Sequence, residues 1–564
     1  MPSIITRPIP FDSHAQLLAQ GMSPLLARLY AARGIQNENE LACSLDTLLP
    51  FEQLKNSEAM ADRLADAIAR RERLVVVADY DCDGATACAV AIKGLTALGG
   101  VVDFIVPDRF RYGYGLTPEI VELASSLSPD IIMTVDNGIA SVAGVEAAQA
   151  RGIDVLITDH HLPGERLPNA LIVNPNQPGC TFPSKHLAGV GVIFYVLMAL
   201  RSVMRQRGAF LQRTEPNLAA LLDYVALGTV ADVVVLDQNN RTLVENGLRR
   251  IRAGRLSAGM TALFQVAGRL PDKASTFDLG FTIGPRLNAA GRLDDMSIGI
   301  SCLLADTLDQ ALPLAQQLDS LNRERRHIET SMQEDALHTM SMLDPKEQYT
   351  LSLYRDDWHQ GVVGIVASRL KERFHRPTMV FAPGDSGEIK GSGRSIAGFH
   401  LRDAVDLVSK RYPGLVLKFG GHAMAAGLTL VEAGFDTFCE AFEQVARELL
   451  PIGQLTRTIE TDGALSVQEL HIDLAEAIRT RVWGQGFPAP TFHDVFYVTH
   501  QRIVAQKHLK LQLEKEGQRF DAMLFNQNDW LPEVIEAVYQ LAINEWQGRK
   551  ELQIHIEYCV TASR

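Results

Sequence analysis

LVVVADYDCDG, residues 74–84, is the segment from which the fold of this chain follows. An apolar, β-branched run ends in three aspartates at alternating positions, Asp79, Asp81 and Asp83. Such a run is typical of a buried parallel strand, and open α/β sheets bind their ligands just beyond the carboxyl ends of the strands. Three neighbouring carboxylates repel one another unless a cation, most readily a divalent one, neutralises them. The alternative is a solvated acidic turn, but such turns seldom follow so apolar a strand.

Strands and helices alternate around this segment, from about residue 55 to 235. The strands predicted are Leu74–Ala78, Val101–Val106, Asp130–Val135 and Ile153–Thr158. The helices predicted between or after them are Ala85–Leu98, Pro118–Leu127 and Ile139–Arg151. Strands separated by helices of this length predict right-handed βαβ units and a mainly parallel sheet.

Two later strands of the series also end in polar residues. One runs into DNG at 136–138 and the next into DHH at 159–161. Because the carboxyl ends of parallel strands lie at the same edge of a sheet, we expect these residues to converge on residues 79–83. Asp232, which follows the apolar segment 224–230, could close the cluster.

The predicted cluster has the composition of a divalent-metal site. Oxygen ligands with one or two imidazoles and no thiolate suit Mn²⁺ or Mg²⁺ better than structural zinc. The number of acids indicates two ions that share a bridging carboxylate, about 3.5–4 Å apart, an arrangement that promotes in-line displacement at phosphorus. A lone His-His pair is usually structural and Asp-Asn-Gly is a common turn. The prediction therefore depends on the coincidence of several such segments in one series.

The rest of the chain predicts an α/β protein with two α/β domains joined by a long helix, followed by a small C-terminal β-barrel. The long helix is expected at Asp309–His338. The regions that we expect are an N-terminal extension (1–54), a first α/β domain (55–240), a helical connector (241–345), a second α/β domain (346–453) and a β-rich C-terminal domain (454–564).

Composition narrows the class of protein. The net charge of −13 argues mildly against a polyanionic partner, but local patches govern binding more than totals do. The seven cysteines form no CxxC pair, which suits a reducing compartment. The apolar run Leu187–Leu200 is too short to span a bilayer, and no signal peptide is recognisable. We expect a soluble cytoplasmic monomer without a membrane partner.

The motifs DYDCDG, VDNG, DHH and GTVADVV, in this order and spacing, resemble the four motifs of the DHH phosphoesterase superfamily. GSGRS (391–395) and GGHAMAAG (420–427) resemble its DHHA1 domain, and together with DRFRYGYG (108–115) and GPRLNAAGR (284–292) they are similar to its single-strand-specific exonucleases. The resemblance implies 5′→3′ hydrolysis of single-stranded DNA to 5′-mononucleotides, a role in recombination and repair, and an OB fold in the C-terminal domain. It also implies single-strand-binding protein and recombination or repair factors as partners.

The resemblance assigns metal ligands residue by residue. Asp81 would bind one ion, Asp83 the other, and Asp136 would bridge them. The residues that complete the second site are His160 and Asp232. His161 is placed against the scissile phosphate, and Asp79 has a supporting role. Some relatives carry a histidine at the position that Val77 occupies here, four residues before Asp81.

The resemblance also implies a DNA-binding groove between the two α/β domains. Ser392, Arg394 and His422 would contact substrate phosphates, although tight turns are an equally ordinary interpretation of either glycine-rich motif. If they hold a terminal 5′-phosphate, they set the direction of digestion. The residues predicted to line the groove are Arg109, Arg286 and Asn288, with Tyr112 and Tyr114 as candidates for stacking on bases.

The sequence is also compatible with two other functions. One is a phosphoesterase of the same superfamily that acts on short oligonucleotides, cyclic dinucleotides or pyrophosphate. Such enzymes usually consist of the two α/β domains alone, so the long helix and C-terminal β domain favour a polymer. The other is a non-catalytic scaffold on the same fold, which would be expected to have lost metal ligands. A dehydrogenase is excluded because neither GxGxxG after a strand nor a P-loop is present.

Overall fold

The strand predicted at Leu74–Ala78 spans Arg73–Ala78 in the computed structural model, which describes residues 2–107, 112, 115–341, 348–384, 387–546 and 548–562. The chain forms two units. One comprises Met1–Ile5, Arg292–Asp294 and Ser320–Ile459; the other comprises Thr6–Gly291, Asp295–Asp319 and Glu460–Arg564. The second unit thus contains both the first α/β sheet and the C-terminal β domain.

The main elements up to the end of the first sheet are, in chain order, β1 (Ser3–Thr6), α1 (Phe11–Ala19), α2 (Pro24–Ala31), α3 (Ser57–Arg70), β2 (Arg73–Ala78), α4 (Cys82–Leu98), β3 (Val101–Ile105), α5 (Pro118–Ser125), β4 (Ile131–Val135), α6 (Val142–Ala150), β5 (Asp154–Thr158) and β6 (Leu171–Val173). From α3 to β5, helices and strands alternate as predicted.

The first sheet is parallel throughout, with the strand order β3-β2-β4-β5-β6. Its central strand β4 is buried along its whole length because helices cover both faces of such a sheet. The last residues of three strands lie side by side, since Ala78 pairs with Val135 and Val135 pairs with Thr158. The residues that follow these strands therefore leave the sheet at the same edge, as the sequence predicted.

Helices follow the first sheet and precede the second. Those of eight residues or more are α7 (Gly189–Gln206), α8 (Leu222–Ala231), α9 (Gln238–Arg252), α10 (Ala258–Val266), α11 (Gly284–Leu293), α12 (Ser297–Leu304) and α13 (Leu308–Ser341). A π-helical segment, Leu279–Ile283, leads into α11. Helix α13 is the long helix predicted at Asp309–His338. Helix α7 is long and apolar enough to cross a membrane, but 67% of that span is buried inside the protein, as in the core helix of a globular domain.

The smaller unit contains a mixed sheet with the order β10-β11-β9-β8-β7. Its elements are β7 (Leu351–Tyr354), α14 (Val363–Phe374), β8 (Thr378–Pro383), β9 (Glu388–Arg394), α15 (Leu401–Arg411), β10 (Val416–Gly421), β11 (Ala425–Val431) and α16 (Phe435–Leu449). Strands β7 and β8 pair in parallel, and β8, β9, β11 and β10 pair in antiparallel fashion. Aromatic residues of α16, among them Phe438 and Phe442, pack in its core.

The C-terminal region forms a closed barrel with the strand order β13-β14-β15-β17-β16. The remaining elements are β12 (Thr458–Thr461), α17 (Ile472–Arg479), β13 (Phe492–Val504), β14 (His508–Lys515), β15 (Gln518–Leu524), β16 (Val534–Trp546) and β17 (Arg549–Thr561). Alternate residues of β14, such as Leu509, Leu511 and Leu513, face the barrel interior because side chains on a strand have a period of two. The predicted fold class of two α/β domains and a β-barrel is confirmed.

Candidate metal centre

Asp136 lies directly after β4 at the carboxyl edge of the first sheet. It adopts a left-handed backbone conformation with φ of 64°, which only a few residue types, aspartate among them, tolerate. The first residue of α7, Gly189, lies against its side chain: a Cβ built on Gly189 would be 2.5 Å from Asp136 Oδ1. The side chain of Asp136 is thus held between the end of a strand and the start of a helix.

Asp83 is held by the same helix. The backbone N–H groups of Gly189 and Val190 donate to the two carboxylate oxygens of Asp83, at 2.6 and 2.9 Å. The first N–H groups of a helix have no partner within it, so this terminus supplies donors to an anionic side chain. Asp81 caps the first turn of α4, where its carboxylate accepts from the N–H of Gly84 at 3.0 Å.

His160 joins the carboxylates into one cluster. Its Nε2 lies 3.1 Å from Asp136 Oδ1, 3.5 Å from Asp232 Oδ2 and 3.9 Å from Asp83 Oδ2. Asp232 stands at the end of α8, because the apolar segment that precedes it forms a buried helix. The helix places the carboxylate of Asp232 at the same edge of the first sheet as the other acids.

Three sets of potential ligands lie close enough to hold an ion among the residues that the structure describes. The sets are Asp79, Asp81 and Asp136; Asp83, His160 and Asp232; and Asp136, His160 and His161. Asp136 and His160 each belong to two sets, which suits groups shared by neighbouring ions. Asp79, for which a supporting role was predicted, lies within the first set, whereas Val77 is fully buried in β2.

Burial and mutual repulsion act on the carboxylates of the cluster. Burial, followed by the charge of Asp81, raises the pKa of Asp83 to about 7. Burial, followed by the charge of Asp83, raises the pKa of Asp136 and the pKa of Asp232 well above their ordinary value. A divalent cation would reverse these shifts because it favours the ionised carboxylates.

The two adjacent histidines differ in charge. Burial, together with the positive charge of His161, lowers the pKa of His160 to about 4, so its neutral imidazole can offer a lone pair. Burial also acts to lower the pKa of His161, but the hydrogen bond and charge of Asp159 outweigh it and raise this pKa to about 9. The Nδ1 of His161 lies 2.8 Å from Asp159 Oδ1, which fixes the orientation of the ring.

The donor set fits Mn²⁺ or Mg²⁺ and does not fit structural zinc. Its potential ligands are carboxylate oxygens and imidazole nitrogens, which hard divalent cations accept. Cys82, between Asp81 and Asp83, is buried. Burial and the neighbouring aspartates raise the pKa of its thiol, so it stays protonated and is unsuited to bind metal.

Helix α11 carries two residues that were predicted to line a DNA groove, and both contact the protein itself. Asn288 Oδ1 accepts from the N–H of Cys82 at 2.8 Å, and so braces the start of α4, where Asp81 and Asp83 lie. Arg286 is buried and pairs with Asp319, at 3.0 Å through Nε and 2.9 Å through Nη2.

Replacing Asn288 with alanine should destabilise the start of α4. The half-buried N–H of Cys82 would lose its acceptor, which costs about 1–3 kcal/mol. We expect a lower melting temperature and weaker Mn²⁺ binding, measured by thermal unfolding and calorimetry. An unchanged affinity for Mn²⁺ would show that the hydrogen bond does not position the start of α4.

The aromatic and basic residues predicted in DRFRYGYG are described only in part. Arg109 and Tyr114 lie outside the described residues. Tyr112 is half-buried and packs against the hydrophobic core under the first sheet. Their contacts with DNA stay predictions.

The smaller unit places Ser392 and Arg394 on β9 beside the first turn of α14. The guanidinium of Arg394 donates through Nη1 to Ser392 Oγ at 3.2 Å and to the carbonyl oxygen of Gly393 at 2.8 Å. A Cβ on Gly364, the second residue of α14, would be 2.9 Å from Ser392 Oγ and 3.1 Å from Arg394 Nη2. His422 is exposed at the turn between β10 and β11. A hydroxyl, a guanidinium and the start of a helix are groups that bind phosphate.

Two contributions to the cluster were missed from the sequence. The sequence places Asp159 in a strand-end motif and predicts no separate role for it. In the structure, its carboxylate accepts from three backbone N–H groups and orients His161. Gly189 and Val190 hold Asp83 through backbone atoms that are more than 100 positions away from it in sequence. In the sequence, only Gly189 in LAGVG indicated that another segment could approach the backbone closely.

Three segments of the chain match known protein families. Residues 73–229 match the DHH family, N-terminal domain; residues 347–448 match the DHHA1 domain; and residues 461–558 match the RecJ OB domain. The metal cluster described above lies in or next to the first of these matches.

Individual relatives match along the whole chain. The chain is 49% identical to the single-stranded-DNA-specific exonuclease RecJ of Dickeya dadantii, over 96% of each protein. It superimposes on the RecJ of Thermus thermophilus in complex with Mn²⁺ with a TM-score of 0.83 and 29% identity, covering all of this chain and 80% of that one. The Mg²⁺ complex of the same RecJ gives a TM-score of 0.78 at 28% identity, and the match covers 100% of this chain and 78% of that one. By its domains, its sequence and its fold, this chain belongs to the RecJ family.

Proposed function

We propose that this protein is a metal-dependent exonuclease that degrades single-stranded DNA from the 5′ end and releases 5′-mononucleotides. The observation that carries the proposal is the convergence of five aspartates and two histidines at one sheet edge, in a chain that is 49% identical to a single-stranded-DNA-specific exonuclease. The closed C-terminal barrel, within a match to an OB domain, supports a polymer as substrate.

In this proposal the residues of the cluster divide between two Mn²⁺ or Mg²⁺ ions. Asp81 and Asp83 belong to different sets of potential ligands, and Asp136 lies near both sets. His160 and Asp232 complete the set that contains Asp83. When bound, such a pair of ions supplies an activated water and stabilises the charge that develops on the phosphate oxygens. The solved RecJ complexes contain Mn²⁺ or Mg²⁺, which supports this choice of metal.

His161 is proposed to contact the scissile phosphate. Because its Nδ1 is engaged by Asp159, its Nε2 points away from that carboxylate. The side chain is 36% exposed, so a phosphate oxygen can reach it. Asp79 is proposed to support the first ion.

The smaller unit is proposed to bind the 5′ end of the strand. Ser392, Arg394 and the first turn of α14 form the phosphate-binding arrangement described above, and His422, at the turn between β10 and β11, is proposed to join it. A terminal 5′-phosphate carries more charge than an internal phosphodiester, so a guanidinium and a helix start discriminate in its favour.

Digestion of end-labelled oligonucleotides tests the proposal. With Mn²⁺, a 5′-labelled single strand should release labelled mononucleotide first, whereas a 3′-labelled strand should first give progressively shorter labelled products. The same strand in a blunt duplex is the control and should resist digestion. Label that stays on a shortened 5′-labelled product would reverse the polarity, and the absence of products at any metal concentration would overturn the proposal.

Replacing Arg394 with glutamine should reduce the preference for a 5′-phosphate. The variant loses the guanidinium but keeps a polar side chain on β9. We expect about tenfold slower hydrolysis of 5′-phosphorylated strands and little change for strands with a 5′-hydroxyl. The measurement is the ratio of kcat/KM for the two substrates. An equal loss on both would assign Arg394 to internal phosphates.

The cellular setting is proposed from the same relationship. A single-strand exonuclease of this family would act in recombination and repair, in the cytoplasm, alongside single-strand-binding protein. We propose that it works as a monomer.

A further inference from the structure

A cavity of about 230 Å³ lies in the larger unit, apart from the residues of the metal centre. Its walls come from three parts of the chain: the N-terminal region with Tyr30 and Cys43, helix α9, and the segment 480–487 that precedes the barrel. Water occupies about 30 Å³ per molecule in the liquid, so the cavity is large enough for a phosphate group together with several waters.

The cavity is strongly basic. Arg241, Arg249, Arg252 and Arg481 line it, and Glu245 is the one carboxylate among the residues that form its walls. Glu245 accepts from Arg249 Nε at 2.8 Å and lies 4.0 Å from Arg252 Nη1. One negative charge thus faces four positive ones.

Arg241 is the most buried of these arginines, at 7% exposure. Its Nη1 and Nη2 donate to the carbonyl oxygens of Leu236 and Glu40, at 3.0 and 3.1 Å, and its guanidinium stacks on Phe487 with 4.3 Å to the ring centre. These contacts satisfy hydrogen bonds, and the carboxylates of Asp237 and Glu40 act on the charge only from beyond ion-pair distance. Burial lowers the pKa of Arg241, which reflects the cost of keeping this charge out of water.

Within the part of the chain that the structure describes, no carboxylate lies within ion-pair distance of Arg241 or Arg481. A nearby arginine, Arg33, forms an ion pair that is purely structural and serves as a comparison. Arg33 donates to both oxygens of the buried Asp462, at 2.9 and 2.8 Å, and so joins two parts of the chain with its charge neutralised. Arg241 and Arg481 lack such a partner among the described residues, although arginine charges gathered without counterions repel one another.

We propose that this cavity binds a phosphate-bearing anion. Guanidinium groups match phosphate oxygens in geometry and bind them through paired hydrogen bonds. A dianionic phosphate would neutralise most of the excess positive charge and would provide Arg241 with a counterion. The phosphate could come from a free mononucleotide, which presents three terminal oxygens, or from the backbone of a DNA strand, which presents two non-bridging oxygens at each phosphate.

Binding of deoxythymidine 5′-monophosphate and of an unphosphorylated oligothymidylate tests the proposal. Both are measured by titration calorimetry on the full chain carrying Asp136→Asn, so that DNA is not consumed. The test variant adds Arg249→Gln and Arg481→Gln, since both arginines have exposed side chains and their replacement should not disturb folding. The matched control adds Arg70→Gln and Arg166→Gln, which remove the same charge from exposed positions outside the cavity.

We expect at least about tenfold weaker binding of one probe in the test variant and no change in the control variant. Loss confined to the mononucleotide identifies a free nucleotide as the ligand, and loss confined to the oligothymidylate identifies the DNA backbone. Equal affinities of test and control variants for both probes would overturn the proposal.

Glu245→Gln provides the opposite change, because it removes the carboxylate that competes for Arg249 and Arg252. Binding should become several-fold tighter, and weaker binding would contradict the proposal. The measurements report binding without turnover, so their outcome is separate from that of the proposed nuclease activity.

Discussion

Replacing Asp136 with asparagine should lower the rate of single-strand hydrolysis by about 10³-fold or more. Asp136 lies 3.1 Å from His160 and also belongs to the set formed by Asp79 and Asp81. Asparagine keeps the shape of the side chain, but it removes the charge that a pair of ions would share. The effect should be on kcat, because the residues proposed to bind the 5′ end belong to the smaller unit.

The rate is measured with a 5′-labelled oligonucleotide at saturating Mn²⁺, and binding of the same strand is measured by fluorescence anisotropy. Binding should change by less than about threefold, since phosphate contacts made elsewhere are unaffected. Asp46→Asn, at an exposed position in the N-terminal region, is the charge-matched control and should keep full activity. Residual activity above about one tenth of the unmodified rate would show that Asp136 is not the shared ligand.

Replacing Gly189 with alanine should impair the same centre without altering any proposed ligand. The added Cβ would lie 2.5 Å from Oδ1 and 2.6 Å from Cγ of Asp136, closer than non-bonded atoms approach. The N–H of Gly189 also holds Asp83 at 2.6 Å, so a shift of α7 would displace two carboxylates together. Misplacement of catalytic groups by about 1 Å costs on the order of 10²-fold in rate.

The test compares activity and the rise in melting temperature that Mn²⁺ produces, because a ligand that binds only the folded state stabilises it. Gly189→Ala should lose most of both. Gly164→Ala is the matched control, since its Cβ would meet its nearest atom at 3.9 Å. If Gly189→Ala keeps the full Mn²⁺-dependent rise, the contact with Asp136 is not required to position the ligands.

Much of the centre was predictable because it depends on local pattern and on one rule of topology. The run Leu74–Ala78 and the later strands are apolar enough to identify a parallel sheet, and parallel strands end at the same edge. Asp136 and the histidines after β5 follow those strands directly, so the sequence located them together. The motifs also identified Asp232, which the folded chain places at the end of the buried helix α8.

The contacts made by α11 could not be read from the chain in the same way. Arginine and asparagine in GPRLNAAGR suggested a polar groove, yet Arg286 is paired with Asp319 and Asn288 supports Cys82. Which face of a helix turns inward depends on what packs against it, and periodicity is weak in a segment with so few apolar residues. The same limit applied to the arginines around the cavity, which come from segments more than 200 residues apart.

The kind of centre therefore follows from the amino-acid sequence: an alternating βαβ series, acids and imidazoles at successive strand ends, and a choice of hard divalent cations. How the centre is held follows from the folded chain alone. Backbone N–H groups at the start of α7 bind Asp83, Gly189 confines Asp136, and Asp159 orients His161. The restraints on Asp83 and Asp136 involve backbone atoms and a close approach between distant segments, and a side-chain pattern carries no record of either. The sequence predicts the aspartates of LVVVADYDCDG as metal ligands, but one of them, Asp83, is held by a helix that begins more than 100 residues later.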